Sequence, residues 1–190
     1  MADQRGTDVL EDYVKEFHNI VPEDLCDAII HEYSNCDDWR GGETGSGLWT
    51  DVRNVDEIHI SDAGIIRDSQ IRRELDDRLF KSIESVPRRY HQEFRHFAMS
   101  MDTGYQLLRY NEGQFYTQHV DMFGTQQRSL SCSLILNDDY EGGEFSFWDD
   151  TKTYNPSKGS ALVFPSNFLY PHQIKKITKG QRYSIITWFI

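Results

Sequence analysis

The second half of the chain is a succession of short β-prone runs, and this pattern most constrains the fold. From Phe94 onward the runs are rich in β-branched and aromatic residues and are separated by Gly, Asn and Asp. The first half instead contains two amphipathic helical patterns, which begin at Pro22 and near Asp68. Helices followed by strands predict an α+β fold: a double-stranded β-helix (jelly roll) with N-terminal helices packed on one sheet.

The helical patterns have recognisable starts and apolar faces. Residues 22–33 predict a first helix, because Pro22 suits a first turn and two acidic residues follow it. Residues 68–85 predict a second helix. Its core face is a stripe of apolar residues at four-residue spacing: Ile71, Leu75, Leu79 and Ile83. Residues 13–17 predict a first strand.

Length and composition fit one globular domain. The 190 residues are 27% charged and 13% aromatic. We therefore expect a single domain over 1–190, with supporting N-terminal elements over about 10–95 and a jelly-roll core over about 96–190. Three cysteines without a scaffold spacing fit reduced thiols: Cys26, Cys36 and Cys132.

The charge and the hydropathy pattern exclude two classes of partner. A net charge of −11 repels a phosphate backbone, so we expect no nucleic-acid partner. The sequence has no run of about 18 apolar residues, and its N-terminus has no apolar leader segment. From these features we expect no membrane span and a cytoplasmic location.

His119 and Asp121 stand two residues apart in one of the predicted strands. The spacing alone is weak evidence, because 7 His and 31 acidic residues give about one such match by chance. A second match, at His91 and Glu93, lies in a charged stretch after the second predicted helix. A solvated helix end is the simplest interpretation of that match.

The surroundings of His119 favour a metal site. A predicted strand over 104–110 and a turn at 111–113 precede the run that contains His119 and Asp121. Alternate side chains of a strand share a face, so one metal ion can take both residues. Two histidines and one carboxylate form the facial triad of non-haem Fe(II) oxygenases, which leaves three coordination positions open.

The third ligand must come from a distant part of the chain. His172 begins a short predicted strand, and a turn at 175–181 leads to a strongly β-prone run at 182–190. We predict that these two runs form a hairpin that returns Arg182 to the side of His172. A guanidinium can bind a carboxylate through two parallel hydrogen bonds, so this pattern indicates iron(II) together with a keto acid.

On these residues, the segment from about Tyr105 to Ile190 resembles the catalytic core of the prolyl 4-hydroxylase-like branch of the Fe(II)/2-oxoglutarate dioxygenases. The central block 130–145 is similar to the family's strand, turn, Gly-Gly and strand. The N-terminal strand and the helix at Pro22 are also similar, whereas residues 37–58 match least.

The resemblance implies a role for each site residue. His119, Asp121 and His172 would bind Fe(II), which is the catalytic centre. Arg182 would pair with the far carboxylate of 2-oxoglutarate, and Tyr110 would add a hydrogen bond to it. The implied reaction uses O2 and the cosubstrate to hydroxylate an unactivated C–H bond, releasing succinate and CO2. Ascorbate is implied as a further reductant.

Three other positions are assigned by the same resemblance. Tyr116 and Trp188 would contact the substrate. The chain has Leu134-Ile135-Leu136 where some relatives carry a further cosubstrate tyrosine, and Ser184 would replace that contact. The resemblance to this branch makes a prolyl residue in a peptide or protein the first expectation for the substrate.

Other interpretations remain open from the sequence. The same chemistry could act on a free amino acid or another small metabolite. A non-catalytic or cupin-like metal-binding jelly roll would need the triad but not Arg182 or Tyr110. A zinc hydrolase also uses His and carboxylate ligands. The glycine-rich segment 39–47 is either a lid over the substrate or a plain surface loop.

The sequence also offers an apolar lining for a site that must exclude water. We expect it to come from five aromatic residues: Phe115, Phe145, Phe147, Phe164 and Trp188.

Overall fold

The computed structural model of the protein describes residues 9–44, 47–61, 69–98, 101–122, 124 and 127–190. Its two long helices are α1 (Glu23–Tyr33) and α2 (Gln70–Glu93). Pro22 occupies the position before α1, and Glu23 and Asp24 lie in its first turn. The Ser69 side chain accepts a hydrogen bond from the Arg72 backbone N–H at the start of α2.

The strands of the described residues are short and mostly follow α2. They are β1 (Lys15–Phe17), β2 (Arg40–Gly41), β3 (Arg53–Asn54), β4 (Asp56–His59), β5 (Asp102–Tyr110), β6 (Phe115–His119), β7 (Leu130–Ile135), β8 (Glu141–Gly142), β9 (Phe145–Phe147), β10 (Lys152–Tyr154), β11 (Ala161–Pro165), β12 (His172–Ile174), β13 (Ile177–Lys179) and β14 (Arg182–Phe189).

Two antiparallel sheets make up the jelly roll. One has seven strands in the order β1-β11-β7-β14-β5-β4-β2, and the other has five in the order β10-β9-β12-β6-β3. Strands β8 and β13 form a separate two-stranded ladder. Consecutive strands repeatedly lie in different sheets, as in a jelly roll, so the predicted α+β fold class is confirmed.

Each long strand of the seven-stranded sheet supplies two cores because its side chains alternate between faces. On β14, Tyr183, Ile185 and Phe189 join a cluster that includes Leu25 of α1 and Leu79 of α2. A second cluster lies between the two sheets and draws on both of them: Leu108, Tyr110, Ile135, Phe145, Phe147, Phe164 and Ile174. The inner faces of the two sheets therefore enclose the space in which the candidate site lies.

The second helix differs from its prediction at both ends. It continues eight residues beyond Ser85, through Pro87, because the buried Val86 and Tyr90 extend its apolar stripe. Ile71, predicted as a core residue, is 58% exposed, so the stripe begins at Leu75. The helix therefore packs on the sheet through its central and C-terminal turns.

The predicted hairpin between the His172 and Arg182 runs is wrong. Strand β12 pairs with β6 and β9 in the five-stranded sheet, whereas β14 pairs with β5 and β7 in the seven-stranded sheet. Residues 175–181 contain β13 and carry the chain from one sheet to the other. Arg182 and His172 thus approach each other from facing sheets.

Two further expectations from the sequence are that the cysteines are reduced and that no segment spans a membrane. All three cysteines are free, and Cys26 and Cys132 are buried. Within the described part of the chain, neither long helix is apolar enough over sufficient length to cross a membrane.

Candidate active site

His119, Asp121 and His172 converge on one point between the two sheets. His119 and His172 are register partners on β6 and β12. Asp121 lies just beyond the end of β6, so the two residues do not share one strand as predicted, although they still converge. The potential ligand atoms of the three residues all lie within 4.8 Å of one another. This spacing lets a single metal ion contact all three.

The two imidazoles are oriented by the backbone. His119 Nδ1 lies 2.8 Å from the Thr117 carbonyl oxygen, and His172 Nδ1 lies 3.1 Å from the Tyr170 carbonyl oxygen. A carbonyl oxygen only accepts, so each Nδ1 carries the proton and each Nε2 keeps a free lone pair. Both Nε2 atoms face Asp121, as metal-ligating histidines require.

The charge states of the cluster also suit a cation. Burial lowers the pKa of His172 to about 4, with a further decrease from His119, so its imidazole is neutral at physiological pH. Burial by itself would raise the pKa of Asp121, but His172, His119 and the Ser131 hydroxyl lower it below its ordinary value. The Asp121 carboxylate, the neutral His172 imidazole and His119 Nε2 therefore face the same point.

Arg182 lies in the same cavity and is 1% exposed. Its Nη1 donates a hydrogen bond to the Ser184 hydroxyl at 2.9 Å. Among the residues that the structure describes, Nε and Nη2 of Arg182 have no hydrogen-bond partner, and no carboxylate forms an ion pair with the guanidinium. Burying a guanidinium whose donors have no partner is energetically unfavourable unless an anion binds to it.

The Gly-Gly turn after β8 makes room for Arg182. Gly143 has φ +72°, which a glycine adopts without strain. A Cβ at this position would lie 3.1 Å from Cδ of Arg182 and would clash with the Ile177 side chain. The glycine predicted in the central block is thus needed both for backbone conformation and for the path of the arginine side chain.

A cavity of about 510 Å³ contains the triad at one side and Arg182 at another. Its wall on the seven-stranded sheet consists of alternate, inward-facing residues of three strands: Gln106, Leu108, Tyr110, Ser133, Arg182, Ser184, Ile186 and Trp188. Tyr110, Ser184 and Trp188, to which the resemblance assigns roles, all line this cavity, and their roles stay predictions. Tyr116 also lines it, stacked on the His119 ring with centroids 3.6 Å apart.

Residues 105–190 match the model of the 2OG-Fe(II) oxygenase superfamily, the family in which such a triad binds iron. The segment 105–190 of the chain is similar to the 2OG-Fe(II) oxygenase superfamily. The matched segment starts in β5 and ends after β14, so it contains all three triad residues and Arg182. The family expected from the sequence is confirmed.

Curated proteins similar to this chain include prolyl 3-hydroxylases. Prolyl 3-hydroxylase 2 of Rattus norvegicus is 42% identical over 67 residues, which is 33% of this chain and 10% of the relative. Prolyl 3-hydroxylase 1 of Gallus gallus is 45% identical over 67 residues, which is 33% of this chain and 9% of the relative. The chain thus spans about a tenth of the length of the curated relatives it matches.

Solved structures share the whole fold of this chain at lower identity. A prolyl hydroxylase from Trichoplax adhaerens, in complex with a hypoxia inducible factor peptide, has a TM-score of 0.78 at 17% identity, covering 98% of this chain and 89% of that one. A Pseudomonas putida prolyl-4-hydroxylase has a TM-score of 0.73 at 20% identity, covering 96% and 97%. These likenesses establish the architecture.

The predicted aromatic lining of the cavity is only partly correct. Phe145 and Trp188 line the cavity. Phe147 and Phe164 instead pack around the His172 ring, with centroids 5.4 and 4.7 Å away, and belong to the inter-sheet core. Phe115 lies outside the cavity wall, under the ammonium of Lys176. The Phe147 and Phe164 rings therefore contribute to the site by burying His172, one of the three potential metal ligands.

Two arginines of this site were missed by sequence reasoning. Arg53 is 8% exposed, pairs with the buried Glu57 at 2.9 Å and lies over the Tyr116 ring. The guanidinium carbon of Arg128 lies 3.5 Å from the Trp188 ring centroid, and its Nη1 donates to the Asp121 carbonyl oxygen. No local motif marks either residue, because each reaches the cavity only through the pairing of distant strands.

The described residues of the glycine-rich segment lie against this site. Arg40 and Gly41 form β2 at the edge of the seven-stranded sheet, and Thr44 bridges to Gly47. Glu43 and Thr44 line the cavity. Residues 45 and 46 of the predicted lid lie outside the described residues, and the lid stays a prediction.

Proposed function

We propose that this protein is an Fe(II)- and 2-oxoglutarate-dependent dioxygenase that hydroxylates a prolyl residue in a peptide or protein, with succinate and CO2 as co-products. One observation carries the proposal: Arg182, buried and without an anionic partner among the described residues, shares a cavity with a three-residue metal site. A bound 2-oxo diacid supplies a carboxylate for such an arginine at one end and metal-binding oxygens at the other.

The residues fit the groups that the family implies. His119 Nε2, His172 Nε2 and one Asp121 oxygen would hold Fe(II), an N2O donor set that suits iron in this class of site. Arg182 would bind the far carboxylate of 2-oxoglutarate with the two donors that lack protein partners. When bound, the metal and the oxo acid supply the oxygen chemistry.

The other cavity residues would complete the cosubstrate pocket. Tyr110 is the register partner of Arg182, and its ring lies 5.4 Å from the guanidinium carbon. Burial raises the pKa of Tyr110, so its hydroxyl remains a neutral donor. Ser184 holds Nη1 of Arg182 and leaves the rest of the fork free for a carboxylate.

The substrate side would be formed by Tyr116 and Trp188. Tyr116 covers one face of the His119 ring, and Trp188 lies under the guanidinium of Arg128. These flat surfaces would exclude water and position a C–H bond next to the metal, which is the contribution a protein makes to such a reaction. Trp49, 56% exposed, also lines the cavity and would extend this apolar wall.

The relatives support a prolyl substrate. The curated relatives are named for prolyl 3-hydroxylation, and one of the similar structures holds a hypoxia inducible factor peptide. The cavity reaches the surface beside exposed residues such as Trp49, so a residue within an extended chain could enter it. A free amino acid is the second candidate, since the cavity volume alone does not require a longer ligand.

The experiment is an aerobic assay with Fe(II), 2-oxoglutarate and a panel of proline-containing peptides, with free L-proline alongside. We expect a peptide to gain one oxygen atom by mass spectrometry, in step with succinate release. Amino-acid analysis of the product then assigns the hydroxyl to position 3 or 4. Succinate release that is faster with L-proline than with every peptide would contradict the peptide assignment.

A non-catalytic metal module and a zinc hydrolase are disfavoured by the same arginine. Neither needs a buried guanidinium with free donors beside the metal site, and burying one without a function is unfavourable. Metal-dependent consumption of 2-oxoglutarate separates the proposal from both.

A further inference from the structure

Asp121 is the end of a chain of buried hydroxyl groups. Ser131 Oγ donates to Asp121 Oδ2 at 2.6 Å, and Ser131 Oγ lies 2.8 Å from Ser166 Oγ. Ser131 is 0% exposed and Ser166 is 1% exposed. Ser131 lies on β7, and Ser166 directly follows the neighbouring strand β11 and donates its backbone N–H to the Ser129 carbonyl oxygen, so the pairing of the two strands brings the serines together.

The direction of these hydrogen bonds follows from the number of protons. Each serine hydroxyl has one proton to donate. The deprotonated Asp121 carboxylate only accepts, so Ser131 must use its proton there, and Ser166 must then donate to Ser131. Hydrogen bonds aligned toward a charge polarise one another, and a bond to a carboxylate is shorter and stronger than a neutral one.

The backbone around Asp121 is held by the same region. The Met122 N–H donates to the Ser166 carbonyl oxygen at 2.8 Å, and Arg128 Nη1 donates to the Asp121 carbonyl oxygen at 3.0 Å. The backbone that carries the carboxylate is therefore held in place, although Asp121 lies beyond the end of its strand.

We propose that Ser131, oriented by Ser166, is a positioning residue that fixes the Asp121 carboxylate for binding of a metal ion through Oδ1. The inference rests on the metal site of the proposed function. Oδ2 accepts the serine hydrogen bond and lies 3.7 Å from His172 Nε2, whereas Oδ1 lies 3.5 Å from His119 Nε2 and is the oxygen that the serine leaves for a metal ion. Residues that orient a metal ligand in this way commonly affect metal affinity as strongly as some ligands do.

One-oxygen binding by Asp121 has a functional consequence. An octahedral metal ion with three protein ligand atoms keeps three positions free, two for a keto acid and one for O2. A carboxylate that rotated and bound through both oxygens would occupy one of these positions. Ser131 would thus hold the carboxylate in place for the metal ion and keep the remaining coordination positions free.

The test measures Co(II) binding by visible absorption, without turnover. Ser131→Ala should weaken Co(II) binding by about 10- to 100-fold and change the shape of the absorption band, because the carboxylate is released. Ser166→Ala should weaken binding less, in the same direction. Ser131→Thr, which keeps the hydroxyl, should restore both the affinity and the band.

Ser160→Ala is the matched control. Ser160 is 1% exposed, and its hydroxyl lies 3.1 Å from that of Ser157, so it is also a buried, paired serine, but it does not line the cavity. Native affinity and band shape in Ser131→Ala, or an equal loss of affinity in Ser160→Ala, would overturn the proposal. If Ser131→Ala does not fold, native affinity in Ser166→Ala overturns it. Failure of the native protein to bind Co(II) would instead refute the metal site of the proposed function.

Discussion

Arg182 lies directly opposite Tyr110 in the register of β14 and β5, and its guanidinium faces the same cavity as the His119, Asp121 and His172 cluster. The arginine is buried, yet two of its nitrogen donors have no partner within the described residues. A simple metal-binding jelly roll would not need a buried guanidinium with free donors beside the three potential metal ligands. The arrangement therefore favours a site that also binds an anion.

Removal of the Arg182 guanidinium should weaken binding of 2-oxoglutarate by about 2–5 kcal/mol, because a buried charged hydrogen-bonded pair is lost. Calorimetric titration of the Mn(II)-loaded protein measures this change. Arg182→Lys should recover part of the affinity, since the charge returns without the planar fork. Tyr110→Phe should cost about 1 kcal/mol. Native affinity in Arg182→Ala would exclude its role at the cosubstrate.

Loss of either His119 or Asp121 should abolish metal-dependent turnover of 2-oxoglutarate while the protein stays folded. The side chains meet at the end of β6 rather than in the apolar core, so their removal should leave the sheets intact. His91→Ala is the matched control, because His91 belongs to the second His-x-Glu match and is exposed at the end of α2. Succinate release measures turnover, and normal release from a metal-loaded His119→Ala protein would refute the assignment.

Substitution of Gly143 should affect both stability and cosubstrate affinity. An alanine there adopts positive φ and meets the side chains of Ile177 and Arg182, so we expect a loss of about 1–3 kcal/mol in unfolding free energy. Gly113→Ala is the control: its φ is +85°, but a Cβ would have no neighbour within 4 Å. Urea denaturation and 2-oxoglutarate titration should show that only Gly143→Ala weakens cosubstrate binding; equal binding by the two variants would contradict this account of Gly143.

The metal-free protein should lose stability as the pH falls from about 6.5 to about 4. The pKa of His172 is about 4 in the folded state, lower than its ordinary value of 6.5, so the unfolded chain binds the proton more readily. The contribution of His172 is therefore complete above pH 6.5 and is lost toward pH 4, on the order of 3 kcal/mol. Urea midpoints of the native protein and His172→Gln across this range test it; parallel curves would contradict the shift.

Much of the site could be read from the sequence because its ligands lie on strands with strong local patterns. The family resemblance pointed to Arg182, Ser184 and Trp188, which lie at even spacing along β14 and line one cavity in the structure. The turn before β6 and the strand before it were also recognisable. Local pattern is sufficient where a side chain's face depends only on its own strand.

The rest could not be read because it depends on how distant strands pair. The runs at His172 and Arg182 look like a hairpin locally, but each finds a better partner in a different sheet. Arg53 and Arg128 reach the cavity through such pairings and carry no motif. Helix α2 extends beyond its predicted end. The free energy gained by burying Val86 and Tyr90 outweighs the cost of having Pro87 within the helix.

The most direct test of the central claim is anaerobic addition of Fe(II) and 2-oxoglutarate, followed by visible absorption spectroscopy. We predict a weak charge-transfer band that requires both additions, disappears in Asp121→Ala and needs much more 2-oxoglutarate in Arg182→Ala. The absence of any such band in the native protein, or an identical band in Asp121→Ala, would contradict a shared site for the metal and the keto acid.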